Sequence, residues 1–135
     1  MAITELVADG IVLARHIPAA DAWGSGLQFF SESGEFAQVG TWVYDKNKQL
    51  AAHQHNEVAR SVLWTQEILF IKNGKLKAEI YDLNQKKIGE IIASEGDILA
   101  LLQGGHGYQI LSDDTQVLEV KNGPYLGPEI DRKRF

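Results

Sequence analysis

With 135 residues and no cysteine, the chain is long enough for one domain with a sizeable core, and disulfide frameworks, zinc ribbons, iron–sulfur clusters and thiol nucleophiles are excluded. A formal net charge of −5 without a basic stripe argues against a nucleic-acid partner. The N-terminus lacks the basic and apolar regions of a signal peptide, and no apolar run approaches the roughly 20 residues of a membrane span, so we expect a cytoplasmic protein with no membrane partner.

Short strands separated by turns are the dominant pattern along the chain. Residues 19–26 fit a short helical turn or a loop. Beyond them, turn signals recur about every ten residues and no helical period is sustained, which indicates an all-β sandwich or barrel. The predicted strands are 36–44, 49–55, 65–72, 75–81, 88–93, 98–102, a strand that carries His106, Tyr108 and Ile110, and 115–121.

The boundaries between these strands have clear chemical signals. Asn73-Gly74 is a strong hairpin dipeptide, because both residues tolerate a positive φ. We find no linker or internal repeat, so we expect one domain over residues 1–135, with an irregular C-terminal segment from about residue 122.

Three of the four histidines, together with one glutamate, form the main candidate site. His53 and His55 are two residues apart on a predicted strand, and residues i and i+2 of a strand share a face. Glu67 and His106 on neighbouring strands could complete a shell of three nitrogens and one oxygen. Such a shell suits a divalent transition metal, and the sequence does not choose among Fe, Mn, Ni, Zn, Cu and Co.

The identity of the carboxylate ligand has alternatives. Residues 56–66 separate the two neighbouring histidines from Glu67, and Glu57 and Glu119 are the other candidates. We favour Glu67 because the apolar residues that follow it at every second position predict a strand face that points inward.

These residues resemble the two sequence motifs of the cupin superfamily. The first motif, H-x-H followed by Glu and a Gly seven positions later, is matched by His53, His55, Glu67 and Gly74. The second motif is matched in order by Gly96, Asp97, Gly104 and His106. The chain departs from the pattern in its longer spacing before Glu67 and in lacking the motif's leading glycine and its proline.

The resemblance implies a cupin-type double-stranded β-helix barrel with jelly-roll topology, whose ligands project inward. It also implies a divalent-metal site that is open to a small molecule such as a sugar or an organic acid. The alternative is a non-catalytic, metal-dependent ligand-binding or sensor module, and whether the chain is an enzyme stays open. Residues 118–125 further resemble small single-domain cupins, some of them associated with surface-polysaccharide genes.

Further residues are candidates for contacts outside the metal shell. Tyr108 shares a strand face with His106, and Arg60 could bind a carboxylate or phosphate, although a solvated loop arginine is an equal interpretation. The basic residues 132–134 predict a solvated terminus. The apolar segment 27–30, which a barrel of this length need not use internally, predicts a homodimer.

Overall fold

Antiparallel strands are the main regular elements of the computed structural model, which describes residues 2–135. None of the helices in these residues is long and apolar enough to cross a membrane. The elements are β1 (Thr4–Ala8), β2 (Ile11–Ile17), α1 (Ala19–Ala22), β3 (Gly26–Phe29), β4 (Gly40–Val43), β5 (Glu67–Asn73), β6 (Lys75–Tyr81), β7 (Lys87–Ser94), β8 (Ile98–Leu101), β9 (Gly105–Ile110), β10 (Gln116–Lys121) and α2 (Pro128–Asp131).

The strands form three sheets. The largest has the order β1-β2-β8-β5-β10, the second has the order β7-β6-β9, and β3 pairs with β4 in a separate hairpin. In the described residues 2–135 these sheets do not close into a barrel, because β10 and β9 each lie at an edge of their sheet. The sequence-based prediction of a β-rich fold is therefore confirmed, with the sheets open on one side.

The main core lies between the five-stranded and three-stranded sheets. On β6 the predicted alternation is confirmed, since Leu76, Ala78 and Ile80 are buried while the intervening residues are not. From β5, Leu69 and Ile71 meet them in the same cluster. A second, smaller cluster packs the region of the β3–β4 hairpin against the outer face of the five-stranded sheet, through Ile17, Ala22, Val39, Ile98, Phe30, Ile68 and Phe70.

The chain turns at residues 73–74 as predicted, but the predicted hairpin is wrong, because β5 and β6 do not pair and belong to different sheets. Gly74 joins β5 to β6 with φ of +87°, where an added Cβ would lie 2.4 Å from Thr115 Oγ1. Glycine is the residue that adopts this left-handed conformation without a steric cost. Strands β1, β2 and β3 were not predicted, whereas β6 to β10 match the expected strands closely.

The largest departure from the sequence-based prediction is residues 44–63, which we call the arm. These residues form no helix or strand and are exposed throughout, so the predicted strand 49–55 is wrong and the predicted strand 36–44 shrinks to Gly40–Val43. Within the described residues, the only backbone hydrogen bond of the arm joins Lys48 N to Asp45 O at 3.2 Å. A strand needs a partner for its backbone N–H and C=O groups, and the arm has none.

Candidate metal centre

Glu67 is the first residue of β5, and its position is fixed by the residues just before it. The side-chain oxygen of Gln66 accepts hydrogen bonds from the backbone N–H groups of Phe36 and Ala37 at 2.8 and 3.0 Å, and the Gln66 N–H donates to Asn122 Oδ1 at 2.8 Å. Trp64 Nε1 donates to the Leu102 carbonyl at 2.8 Å. These bonds end the arm and set the start of β5.

The Glu67 side chain points inward, as the sequence predicted. It shares a strand face with Leu69 and Ile71, which are both in the main core, and only 12% of the side chain is exposed. Glu67 therefore projects from the five-stranded sheet into the rim of the space between the two sheets.

His106 reaches the same rim from the three-stranded sheet. In the β6–β9 register it lies opposite Ile80, a core residue, and directly opposed residues of antiparallel strands point to the same side. Gly104 makes this approach possible. Its φ is +81°, and an added Cβ would lie 2.3 Å from the Tyr81 carbonyl oxygen, so only glycine fits where the chain enters β9.

Glu67 and His106 meet across the gap between the sheets. His106 Nε2 lies 2.9 Å from Glu67 Oε2. Oε2 is buried, and within residues 2–135 no donor meets strict hydrogen-bond geometry towards it, so its close polar contact is the His106 ring. A buried carboxylate oxygen and an imidazole nitrogen thus face each other at the rim.

The charge state of Glu67 follows from this contact. His106 holds the pKa of the Glu67 carboxyl below its usual value, with Lys121 adding to the effect, while burial acts in the opposite direction. Glu67 is therefore ionised at neutral pH. Because its pKa in the folded state is lowered, the stability that this pairing contributes is present at neutral pH and is lost as the pH falls through the lowered pKa.

Tyr108 lies beside this pair. Its ring is 5.2 Å from the His106 ring between centroids, and 41% of the residue is exposed. Burial of the hydroxyl end, and then the negative charges of Glu67 and Glu119, raise the pKa of Tyr108 well above its usual value. The hydroxyl therefore stays protonated at neutral pH and can donate a hydrogen bond to a bound molecule.

The structure does not bring the other two predicted ligands to this pair. His53 and His55 lie on the exposed arm, where their rings are neighbours with centroids 5.2 Å apart. Across residues 2–135, no group of three or more His, Cys, Asp or Glu side chains is arranged to hold a metal ion. The structure thus contains two separate pairs, one on the arm and one at the rim.

Of the remaining candidates, one lies near the Glu67–His106 pair at the rim, which we call the rim pair, and two lie on the arm. Glu119 on β10 lies opposite Leu69 and so points inward near Glu67. Glu57 and Arg60 are on the exposed arm, and the nearest partner of Arg60 is the Val58 carbonyl, 3.5 Å from its Nη1.

The fourth histidine belongs to a structural contact. His16 Nε2 lies 2.8 Å from Asp97 Oδ2, and both residues are buried. Asp97 also accepts hydrogen bonds from the backbone N–H groups of Ala19 and Ser94 at 2.7 and 2.8 Å. This carboxylate therefore organises the turn before β8 and is saturated by protein donors.

A cleft of about 810 Å³ opens at the rim pair. Glu67, His106 and Tyr108 line its wall, and the C-terminal residues cover one side, where the Phe135 ring lies 5.0 Å from the Tyr81 ring. Four basic side chains also line the cleft: Lys121, Arg132, Lys133 and Arg134. Residues 132–134 are exposed, as the sequence predicted for a solvated terminus, and they also line this cleft, which the sequence analysis did not predict.

Comparison of the chain with protein-family models, with curated proteins and with solved structures finds no match.

Proposed function

We propose that the chain binds one divalent transition-metal ion at the Glu67–His106 pair, with His53 and His55 supplied by the arm, and that the ion serves a site for a small acidic molecule. The observation that carries this proposal is the buried Glu67 Oε2, which has no hydrogen-bond partner although His106 Nε2 is 2.9 Å away. A buried, ionised oxygen whose one close contact is imperfectly aligned is only partly compensated for its loss of water, and a bound cation would compensate it further.

The donor set fits such an ion. Imidazole nitrogens with one carboxylate are ligands for Fe, Mn, Co, Ni, Cu and Zn ions, and the four residues offer three nitrogens and one oxygen. An ion held in this way would act as a Lewis acid towards an oxygen of a bound molecule. The fold that we propose with it is a jelly-roll of the cupin type, because a pair that bridges two facing sheets at their rim is where inward ligands of such a barrel would lie.

The surroundings of the pair favour an acidic ligand. Lys121, Arg132, Lys133 and Arg134 line the cleft, against the carboxylates Glu67, Asp82 and Asp131. If a cation binds to Glu67, the other charged side chains that line the cleft have a net positive charge. Organic acids and phosphorylated sugars present oxygens that such side chains bind.

Tyr108 favours ligand binding over acid–base catalysis at this site. A tyrosine hydroxyl is protonated at neutral pH, and burial raises the pKa of Tyr108 further, so this hydroxyl is a hydrogen-bond donor and a poor general base. A non-catalytic module that senses or stores an acidic small molecule through its metal is therefore the second candidate function.

Three glutamate variants test the metal ligands. We expect Glu67→Gln to weaken metal retention by about tenfold or more. Glu57→Gln and Glu119→Gln, matched in charge and size, are expected to retain the ion. Metal content after dialysis against a weak chelator is the measurement. Loss of the ion in Glu57→Gln together with retention in Glu67→Gln would reject the rim pair as the centre.

Two basic residues test the ligand class. Arg132→Ala combined with Arg134→Ala is expected to weaken the binding of citrate, used as a probe, by about tenfold in calorimetry of the metal-loaded protein. Lys75→Ala, a lysine that is exposed on β6 and does not line the cleft, is the control. Equal citrate affinity in all three proteins contradicts an acidic ligand in the cleft.

A further inference from the structure

The surface of the chain is larger than its mass requires. The accessible surface is 9365 Å², whereas a folded monomer of 15.0 kDa exposes about 7,000 Å². The excess of about 2,300 Å² per chain lies within the roughly 1,000–2,500 Å² that each partner of an obligate dimer buries. The single chain therefore exposes an amount of surface that a tightly associated dimer would cover.

The arm is exposed along its whole length and has the composition of a segment that packs. Leu50, Val58, Val62 and Leu63 are all exposed, and Leu63 reaches 79%. A soluble polar loop does not need four large aliphatic side chains in 20 residues, and exposed apolar groups in this number mark a contact surface.

The body of the chain has a matching uncovered region at the free edges of β9 and β10. Ile110 lies opposite Leu76 and Val117 lies opposite Ile71, so both point to the core side of their sheets. Leu76 and Ile71 are fully buried, but Ile110 is 58% exposed and Val117 is 37% exposed. Inward-facing apolar side chains at two free strand edges indicate that another segment covers this side.

The arm of the same chain leaves these side chains exposed: it departs from the outer side of the five-stranded sheet and returns to the body only at Trp64, whose carbonyl accepts a hydrogen bond from Asn122 beside the end of β10. It follows β4, and Val39, just before β4, packs with Phe70 against the outer face of the five-stranded sheet. The uncovered side chains are on the inner face. The β3–β4 hairpin itself exposes Leu27, Phe29 and Trp42 to solvent on this outer side, where a neighbouring copy would lie.

We propose that two copies of the chain exchange their arms, so that the arm of each copy covers the β9 and β10 edges of the other and brings His53 and His55 to the partner's Glu67–His106 pair. Exchange of identical segments is a common route to symmetric dimers. The completion of the metal centre between copies depends on the proposed metal function; the exchange of arms does not.

The exchange is tested first without metal. Light scattering of the wild type is expected to give about 30 kDa, twice the 15.0 kDa of one chain. Leu63→Glu is expected to shift the protein to the monomer, and Ile3→Glu, a substitution of an exposed residue outside the arm, is expected to leave the dimer intact. A 15 kDa wild-type particle at micromolar concentration contradicts the proposal.

Proteolysis distinguishes an exchanged arm from a dimer that leaves the arm free. Trypsin cleavage after Lys46, Lys48 and Arg60 in the arm is expected to slow at least tenfold as the wild-type concentration rises through the dimer range. Cleavage after Lys86, in the exposed turn between β6 and β7, is expected to be independent of concentration. Arm cleavage that is equally fast at all concentrations overturns the exchange, even if the protein is dimeric.

A heterodimer tests whether the metal centre is shared. One subunit carries His53→Ala and His55→Ala, the other carries Glu67→Gln and His106→Ala, and each has its own affinity tag for purification of the mixed pair. With exchanged arms, one of the two centres has all four wild-type residues, so we expect half of the wild-type metal content, whereas each homodimer of variants retains almost none.

The outcomes separate the two proposals. A heterodimer without metal, beside a wild type that binds one ion per chain, shows that each centre forms within one chain and overturns the sharing of the site. A wild type that binds no metal rejects the proposed function, and the mass and proteolysis measurements still decide the exchange.

Discussion

The body of the molecule, formed by β1, β2 and β5 to β10, and the arm at residues 44–63 contrast in how sequence pattern becomes structure. Residues 75–81 and 49–55 both suggest strands in the sequence. The first is the central strand β6, which pairs with β7 on one side and β9 on the other. The second makes no strand pairing and stays exposed.

The difference shows that alternation supplies only half of what a strand needs. Leu76, Ala78 and Ile80 bury an apolar face against a second sheet, and both edges of β6 find hydrogen-bond partners. The arm also has apolar residues, but within residues 2–135 it pairs with no strand of its own chain. Strand formation depends on long-range pairing, which is a property of the whole fold and, on our proposal, of a second copy.

The largest expected effect comes from truncating a buried side chain of the body. Ile71→Ala is expected to lower the free energy of unfolding by about 2–5 kcal/mol, because Ile71 is fully buried in the main core and its loss leaves a cavity. Leu63→Ala in the arm is expected to change it by less than about 0.5 kcal/mol in dilute protein. Urea unfolding measures both. Equal losses in dilute protein would show that the arm packs on its own body.

A second substitution tests the turn that carries His106 to the rim. Gly104→Ala is expected to destabilise the protein by about 1–3 kcal/mol, because alanine is strained at φ of +81° and its Cβ meets the Tyr81 carbonyl. Gly107→Ala, in the strand β9 that follows and with no atom within 4 Å of the added Cβ, is the control. Similar unfolding midpoints for the two variants would contradict this role for Gly104.

The smallest effect compares two residues with positive φ. Gln85 in the β6–β7 turn has φ of +66°, and Asn47 in the arm has φ of +74°. Gln85→Gly is expected to stabilise the body by up to about 1 kcal/mol by relieving that conformation, while Asn47→Gly is expected to leave the unfolding of dilute protein unchanged. A stabilising effect of Asn47→Gly in thermal unfolding would show that the arm has a fixed conformation in the single chain.

The sequence predicted much of the body because its signals are local. Gly74 sets its turn through its backbone preferences, although this turn joins two sheets and not two paired strands, and the alternation on β6 identifies the buried face. The inward direction of Glu67 followed from the same alternation on β5. The strands β1 and β2 escaped prediction, because in β2 five successive residues, Leu13 to Ile17, are buried without alternating.

The candidate site was predictable in its residue types and not in its assembly. Glu67 and His106 meet because their two sheets face each other, and no local sequence pattern predicts how two sheets are placed. The positions of His53 and His55 depended on a strand that the single chain does not form. The basic side of the cleft depends on the C-terminal residues folding back, which Phe135 secures by packing on Tyr81.

The central claim is that the buried Glu67 carboxylate beside His106 is a ligand for a metal ion. The most direct measurement is the metal content of the wild-type protein, reconstituted at pH 7.5 with each of Mn, Fe, Co, Ni, Cu and Zn ions and then freed of excess metal. We expect about one ion per chain to be retained for at least one of these metals, and little in a protein that carries both Glu67→Gln and His106→Ala. Wild-type protein that retains no more of any ion than this double variant would contradict the account.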